Sequence, residues 1–129
     1  MAQKILFIED EPDHIEMVRM RLEASGFEFV SAKDGEEGLK KVASEKPDLI
    51  LLDIVIPKID GFEVCRRLKA RPATRNTPVL VITASGLKDL DEKCLALGAD
   101  DIVRKPYNSS DLVSKIKDLL SKKGVKKDG

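Results

Sequence analysis

The stretch LLDIVIPKIDG, Leu51–Gly61, sets the carboxylate of Asp53 directly after an apolar run, with Pro57 and a second aspartate, Asp60, close behind. An ionised carboxylate is costly to place against a dry core. Asp53 is therefore expected at the exposed end of a buried strand, balanced by a partner. The runs ILFI, LILL and VLVI are apolar at successive positions, as strands covered on both faces are. These are expected to be the central strands.

Five short apolar runs alternate with five longer segments of helical period, the pattern of a βαβ protein with a parallel sheet. The strands are predicted at Lys4–Glu9, Phe27–Ala32, Leu49–Asp53, Val79–Thr83 and Asp101–Arg104. Pro12 suits a first helical position, Ser25-Gly26 ends that helix, and Ile15, Val18 and Leu22 form an inward stripe. Asp34 with Glu37, and Asp60 with Glu63, have capping-box spacing. Asp60 is thereby read as a helix cap, beside a turn glycine, Gly61. Leu90, Cys94 and Leu97 mark a fourth helix stopped by Gly98, and Leu112, Val113, Ile116, Leu119 and Leu120 the packed face of a fifth. With right-handed crossovers, this alternation predicts an α/β doubly wound sheet.

The chain has 129 residues, enough for one core, and its 23 basic residues equal its 23 acidic ones. That balance provides no global field for nucleic acid or an anionic membrane, so partners must be recognised locally. There is no apolar stretch of membrane-spanning length, and MAQKILFIED lacks the parts of a signal peptide, which predicts a cytoplasmic protein. The two cysteines, Cys65 and Cys94, have no neighbours at metal-ligand spacing and read as core thiols. Residues 1–122 are expected to form the domain, and 123–129, the end of the polar run SKKGVKKDG, a flexible tail.

In doubly wound sheets ligands bind outside the carboxyl ends of the strands. Those ends carry Glu9 and Asp10, Asp53, Thr83 and Lys105: three carboxylates, a hydroxyl and an ammonium group. Clustered carboxylates repel, and a hard divalent cation with oxygen ligands relieves them, Mg2+ fitting best. Lys105 and Thr83 can hold a phosphoryl group beside such a metal, and a carboxylate can attack phosphorus to form an acyl phosphate. Asp53 is the candidate nucleophile. His14, in an acidic first turn, is read as a solvated helix position.

From about Lys4 to Leu120 the chain resembles a receiver domain of the two-component response regulators. The resemblance rests on the acidic pair after the first strand, on D-x-x-x-P-x-x-D-G at Asp53–Gly61, on Thr83-Ala84, and on Lys105-Pro106, all in order. It implies a flavodoxin-like architecture with strand order 2-1-3-4-5 and five helices. It also implies that Asp53 accepts a phosphoryl group from a sensor histidine kinase or a histidine-containing phosphotransfer protein. Asp10 and Asp53 would ligate Mg2+ directly, Glu9 through water, and Val55 through its backbone carbonyl. Lys105 would pair with a phosphoryl oxygen and Thr83 would move to another. Pro106 would follow a cis bond, and the small Ala84 would leave room for the donor.

Two positions depart from the family pattern. Ile102 stands where an inward-turning aromatic is usual, so switching is expected to run through Thr83 and the fourth helix. Val55 and Ser85, which influence self-dephosphorylation, offer no acid or amide to position water, which predicts a long-lived acyl phosphate. The output would be a downstream partner or a further C-terminal domain, with no direct nucleic-acid or membrane binding by this domain, and with room for a phosphorylation-dependent homodimer. Its role would be signalling rather than enzymatic turnover. The alternatives are a receiver-like binding module that is never phosphorylated and, less favoured, an aspartyl-phosphate phosphatase; the latter wants an acid where Val55 stands. A flavodoxin-like cofactor carrier is weaker still, with no Trp and one Tyr in the chain to sandwich a flavin.

Overall fold

A computed structural model describes residues 2–56, 58–84 and 88–128. Strands β1 (Lys4–Ile8), β2 (Glu28–Ala32), β3 (Leu49–Asp53), β4 (Val79–Ala84) and β5 (Asp101–Lys105) alternate with helices α1 (Pro12–Ala24), α2 (Gly35–Glu45), α3 (Gly61–Ala70), α4 (Lys88–Ala96) and α5 (Ser109–Asp128). All four strand pairings are parallel. The order β2-β1-β3-β4-β5 is the expected one.

Because successive side chains point to opposite faces of a strand, each central strand feeds two cores. Ile5, Phe7, Leu49, Leu51, Leu80, Ile82 and Val103 join Val18, Leu22, Leu112 and Ile116 on the α1/α5 face. Leu6, Ile8, Ile50, Leu52, Val79 and Val81 join Val42, Val64, Leu68 and Cys94 on the other, under α2, α3 and α4. Both cysteines are buried free thiols, as expected. Burial pushes both up, Cys94 to about 11.

Helix ends follow their residues with local changes. Pro12 opens α1 behind Glu11, whose side chain accepts the N–H of Asp13, and Gly26 beyond the last turn has φ +91°. The capping boxes form only in part. Asp34 accepts the N–H of Glu37 at 2.8 Å, but Glu37 reaches back to the N–H of Lys33, one residue before the cap. Asp60 accepts the N–H of Glu63 at 2.9 Å, while the Glu63 carboxylate is taken by Arg66 and Arg67. Charge-assisted bonds to guanidinium groups outcompete a backbone N–H. They hold Glu63 down at about 2.

The helical backbone of α5 runs to Asp128; lysine is a good helix former and its charge suits a helix C-terminus. One expectation changes. Gly61 has no left-handed φ, so it does not serve as a turn glycine. What it supplies is space, since a Cβ there would lie 2.6 Å from Ile54 Cα. Gly35 does the same at the start of α2, where a Cβ would lie 2.1 Å from the Ile59 carbonyl oxygen. The loop leaving β3 thus rests directly on the start of α2. Gly35→Ala is expected to destabilise the domain by about 2 kcal/mol through overpacking against backbone. Urea unfolding checks this, by a lower midpoint at unchanged slope.

Candidate functional site

Strand parity decides which side chains meet. Glu9 continues the Ile5–Phe7 face of β1, Asp53 the Leu49–Leu51 face of β3, and Lys105 the Val103 face of β5, so all three arrive over α1 and α5. Thr83 continues the Val79–Val81 face of β4 and arrives over α4. The site therefore has two sides joined at the carboxyl edge of the sheet.

On the first side, Asp53 is 3% exposed. Its Oδ2 accepts from Lys105 Nζ at 2.7 Å, and its Oδ1 from the Val55 backbone N–H at 2.9 Å. Glu9 is equally buried, its Oε1 accepting the N–H groups of Asp10 at 3.1 Å and Glu11 at 3.2 Å. Burial drives the Glu9 carboxyl above its usual range; the His14 hydrogen bond opposes this, and the contact and charge of Asp53 add to it. Burial also lifts Asp53, but hydrogen bonds with Glu9, Lys105 and Val55 outweigh it and hold Asp53 below the ordinary value. Burial lowers Lys105, and the ion pair with Asp53 more than reverses that. The two carboxyls are thus driven apart, Glu9 up and Asp53 down, which leaves Asp53 the more acidic of the two.

Asp10 takes a different place from its neighbour. Its side chain is exposed at the rim, where its charge supports the ammonium of Lys105. Among the described residues, ligand atoms of Glu9, His14 and Asp53 lie within 4.8 Å of one another. Val55 is 76% exposed beside Asp53, and Pro106 follows a cis Lys105–Pro106 bond. Ala84 ends β4, Ile102 packs partly buried on the α3/α4 face, and Ser85 and the side chain of Ala84 lie outside the described residues.

His14 corrects the expectation of a solvated position without partners. Its side chain is 11% exposed, Nδ1 lies 2.7 Å from Glu9 Oε2, and Nε2 lies 2.5 Å from the Tyr107 hydroxyl. Its ring meets Phe7 edge-on, with centroids 5.1 Å apart. The spacing of His14, Val18 and Leu22, four residues each, already set it on the inward face of α1. On the second side, Thr83 Oγ1 donates to Asp91 Oδ1 at 3.4 Å, and Asp91, 6% exposed, is ion-paired with Arg104. Sequence reasoning passed over both Asp91 and Arg104. The signal was an aspartate three residues before the buried Cys94, hence on its face of α4.

Residues 5–117 match the family model of the response regulator receiver domain. The chain belongs to that family. The receiver is 39% identical over 126 residues to the alkaline phosphatase synthesis transcriptional regulatory protein PhoP of Bacillus subtilis, covering 97% of this chain and 51% of that protein. It is 38% identical over 120 residues to the phosphate regulon transcriptional regulatory protein PhoB of Rhizobium meliloti, covering 93% and 53%. It thus spans about half the length of the curated relatives it matches. Among solved structures, the signal receiver domain of a signal transduction histidine kinase from Syntrophus aciditrophicus is 36% identical with TM-score 0.86, covering 93% of this chain and 91% of that one. A response regulator receiver domain protein from Clostridium thermocellum is 28% identical with TM-score 0.89, covering 96% and 98%.

Because the Asp53 charge helps to raise Glu9, removing that charge must lower it. In Asp53→Asn the Glu9 carboxyl is expected to titrate at lower pH than in the wild type, read from its side-chain 13C shift. An unmoved titration would contradict the coupling.

Proposed function

We propose that Asp53 is the phosphoacceptor of this receiver and that Mg2+ is its cofactor. The observation that carries this is a buried carboxylate, kept ionised at the end of β3, with the Lys105 ammonium at 2.7 Å. An ionised oxygen is the nucleophile the chemistry needs. Asp53 attacks the phosphorus of a phosphohistidine, the P–N bond breaks, and its electrons leave with the imidazole. Lys105 pairs with a phosphoryl oxygen as negative charge arrives.

The donor set suits Mg2+: hard oxygens from Asp53 and Glu9 gathered together, with Asp10 at the rim. Asp10 and Asp53 would hold it directly, with the Val55 carbonyl, and Glu9 through water. When bound, the metal supplies positive charge beside the phosphoryl oxygens.

The Thr83 hydroxyl has one proton to donate, and that proton is directed to Asp91. To reach a phosphoryl oxygen it must leave Asp91, which disturbs the contact between β4 and α4. Ile102 has neither ring nor hydroxyl to relay the change, so the shift of population runs through Thr83, Asp91 and α4. Val55, exposed at the mouth of the site, offers no group to activate water, and this favours a long-lived acyl phosphate.

The donor is a sensor histidine kinase or a phosphotransfer protein, and the setting is cytoplasmic; no helix among the described residues is long and apolar enough to cross a membrane. The listener is a separate partner or an output domain, a role consistent with relatives that are transcriptional regulators of about twice this length. The domain promotes only its own phosphorylation and dephosphorylation. A constitutive binding module has no need of the Asp53–Lys105 pair. Intact mass after incubation with a small phosphoryl donor and Mg2+ is expected to rise by one phosphoryl group in the wild type, and to stay unchanged in Asp53→Asn. A folded wild type that gains nothing would contradict the proposal.

A further inference from the structure

Both oxygens of Glu9 are already held. Oε1 takes two backbone N–H groups from the start of α1, and a carboxylate anchored through one oxygen alone can still pivot about it. The second anchor is His14, at 2.7 Å from Oε2. His14 is fixed in its turn by Tyr107 through Nε2 and by the ring of Phe7. Glu9 and Tyr107 thus face one ring nitrogen each, and the imidazole cannot turn without losing both contacts. Burial and the charges of Glu9 and Asp53 push Tyr107 up to about 12, so the phenol keeps its proton.

We propose that His14, locked by Tyr107, is a positioning residue that orients the Glu9 carboxylate for Mg2+. This rests on the Mg2+ reading above. Groups that hydrogen-bond to a metal site's carboxylates restrict their orientation, and their loss typically weakens binding 10–100-fold. Tyr107 reaches His14 from 93 residues further along the chain, in the segment that also carries Lys105 and Pro106. The segment that places the cation opposite Asp53 thus also sets the orientation of Glu9. His14 is not assigned as a ligand itself, because Glu9 and Tyr107 occupy both ring nitrogens and oxygen donors suit Mg2+ better.

Calorimetric titration with Mg2+ alone tests this, on the wild type, His14→Leu, His14→Asn and Tyr107→Phe, each checked for folding by urea unfolding. His14→Leu is expected to weaken Mg2+ binding about tenfold. His14→Asn, whose Nδ2 can take the place of the ring Nδ1, should recover most of the loss. Tyr107→Phe should weaken binding by less than His14→Leu does and move the 15N shifts of the His14 ring in the metal-free protein. Equal affinity in His14→Leu and the wild type would overturn the proposal, as would His14→Asn binding no better than His14→Leu. Should His14→Leu not fold, unchanged affinity in Tyr107→Phe overturns it instead. A folded wild type that binds no Mg2+ would overturn the metal reading together with this one, whereas the variant results bear on His14 alone.

Discussion

The ion pair between Lys105 and Asp53 is the contact on which the site depends. It joins the carboxyl ends of β3 and β5 across β4, and so requires three strands to be in register. Without a cation the Asp53 carboxylate would have only its hydrogen bonds with Glu9 and Val55 to set against desolvation. Lys105 keeps part of its side chain in water, which weakens the pair relative to a fully buried one but leaves the ammonium free to follow a larger anion. The pair thus joins Glu9 and Val55 in holding Asp53 down, and its half-exposed ammonium could be rebuilt around a group on Asp53.

Much of this was legible in the sequence, for physical reasons. Leu49–Asp53 is apolar on both faces until its last residue, so the strand, its burial and the unusual carboxylate came from one stretch. The ends of β1, β4 and β5 followed from the rule that ligands gather at the carboxyl edge of a parallel sheet. What escaped was set by tertiary partners. His14 looked solvated because Glu9 and Tyr107, five and 93 residues away, are not neighbours by pattern. Asp91 went unread because Arg104, the cation that makes its burial tolerable, stands on another element. Gly35 and Gly61 are required by backbone approaching from a loop, which no propensity scale contains.

Thr83 and Asp53 stand on opposite faces of the sheet, and the proposed switch depends on that placement. A carboxylate on the α1/α5 side cannot reach α4 through the core, because Ile50, Leu52, Val79 and Val81 fill that face. A larger group on Asp53 that rises over the sheet edge can engage Thr83. The hydroxyl would then exchange a 3.4 Å bond to Asp91 for one to a more charged acceptor. Asp91 would keep its pairing with Arg104, so α4 would be left with a changed contact rather than an unpaired buried charge.

The central claim is that chemistry at Asp53 is transmitted by the Thr83 hydroxyl. A structure with Mg2+ and beryllofluoride, a stable phosphoryl mimic, bound to Asp53 tests it most directly. Thr83 Oγ1 is expected within hydrogen-bond distance of a fluoride and no longer of Asp91, with Lys105 on another fluoride. Beryllofluoride bound on Asp53 with the Thr83–Asp91 bond intact would contradict it.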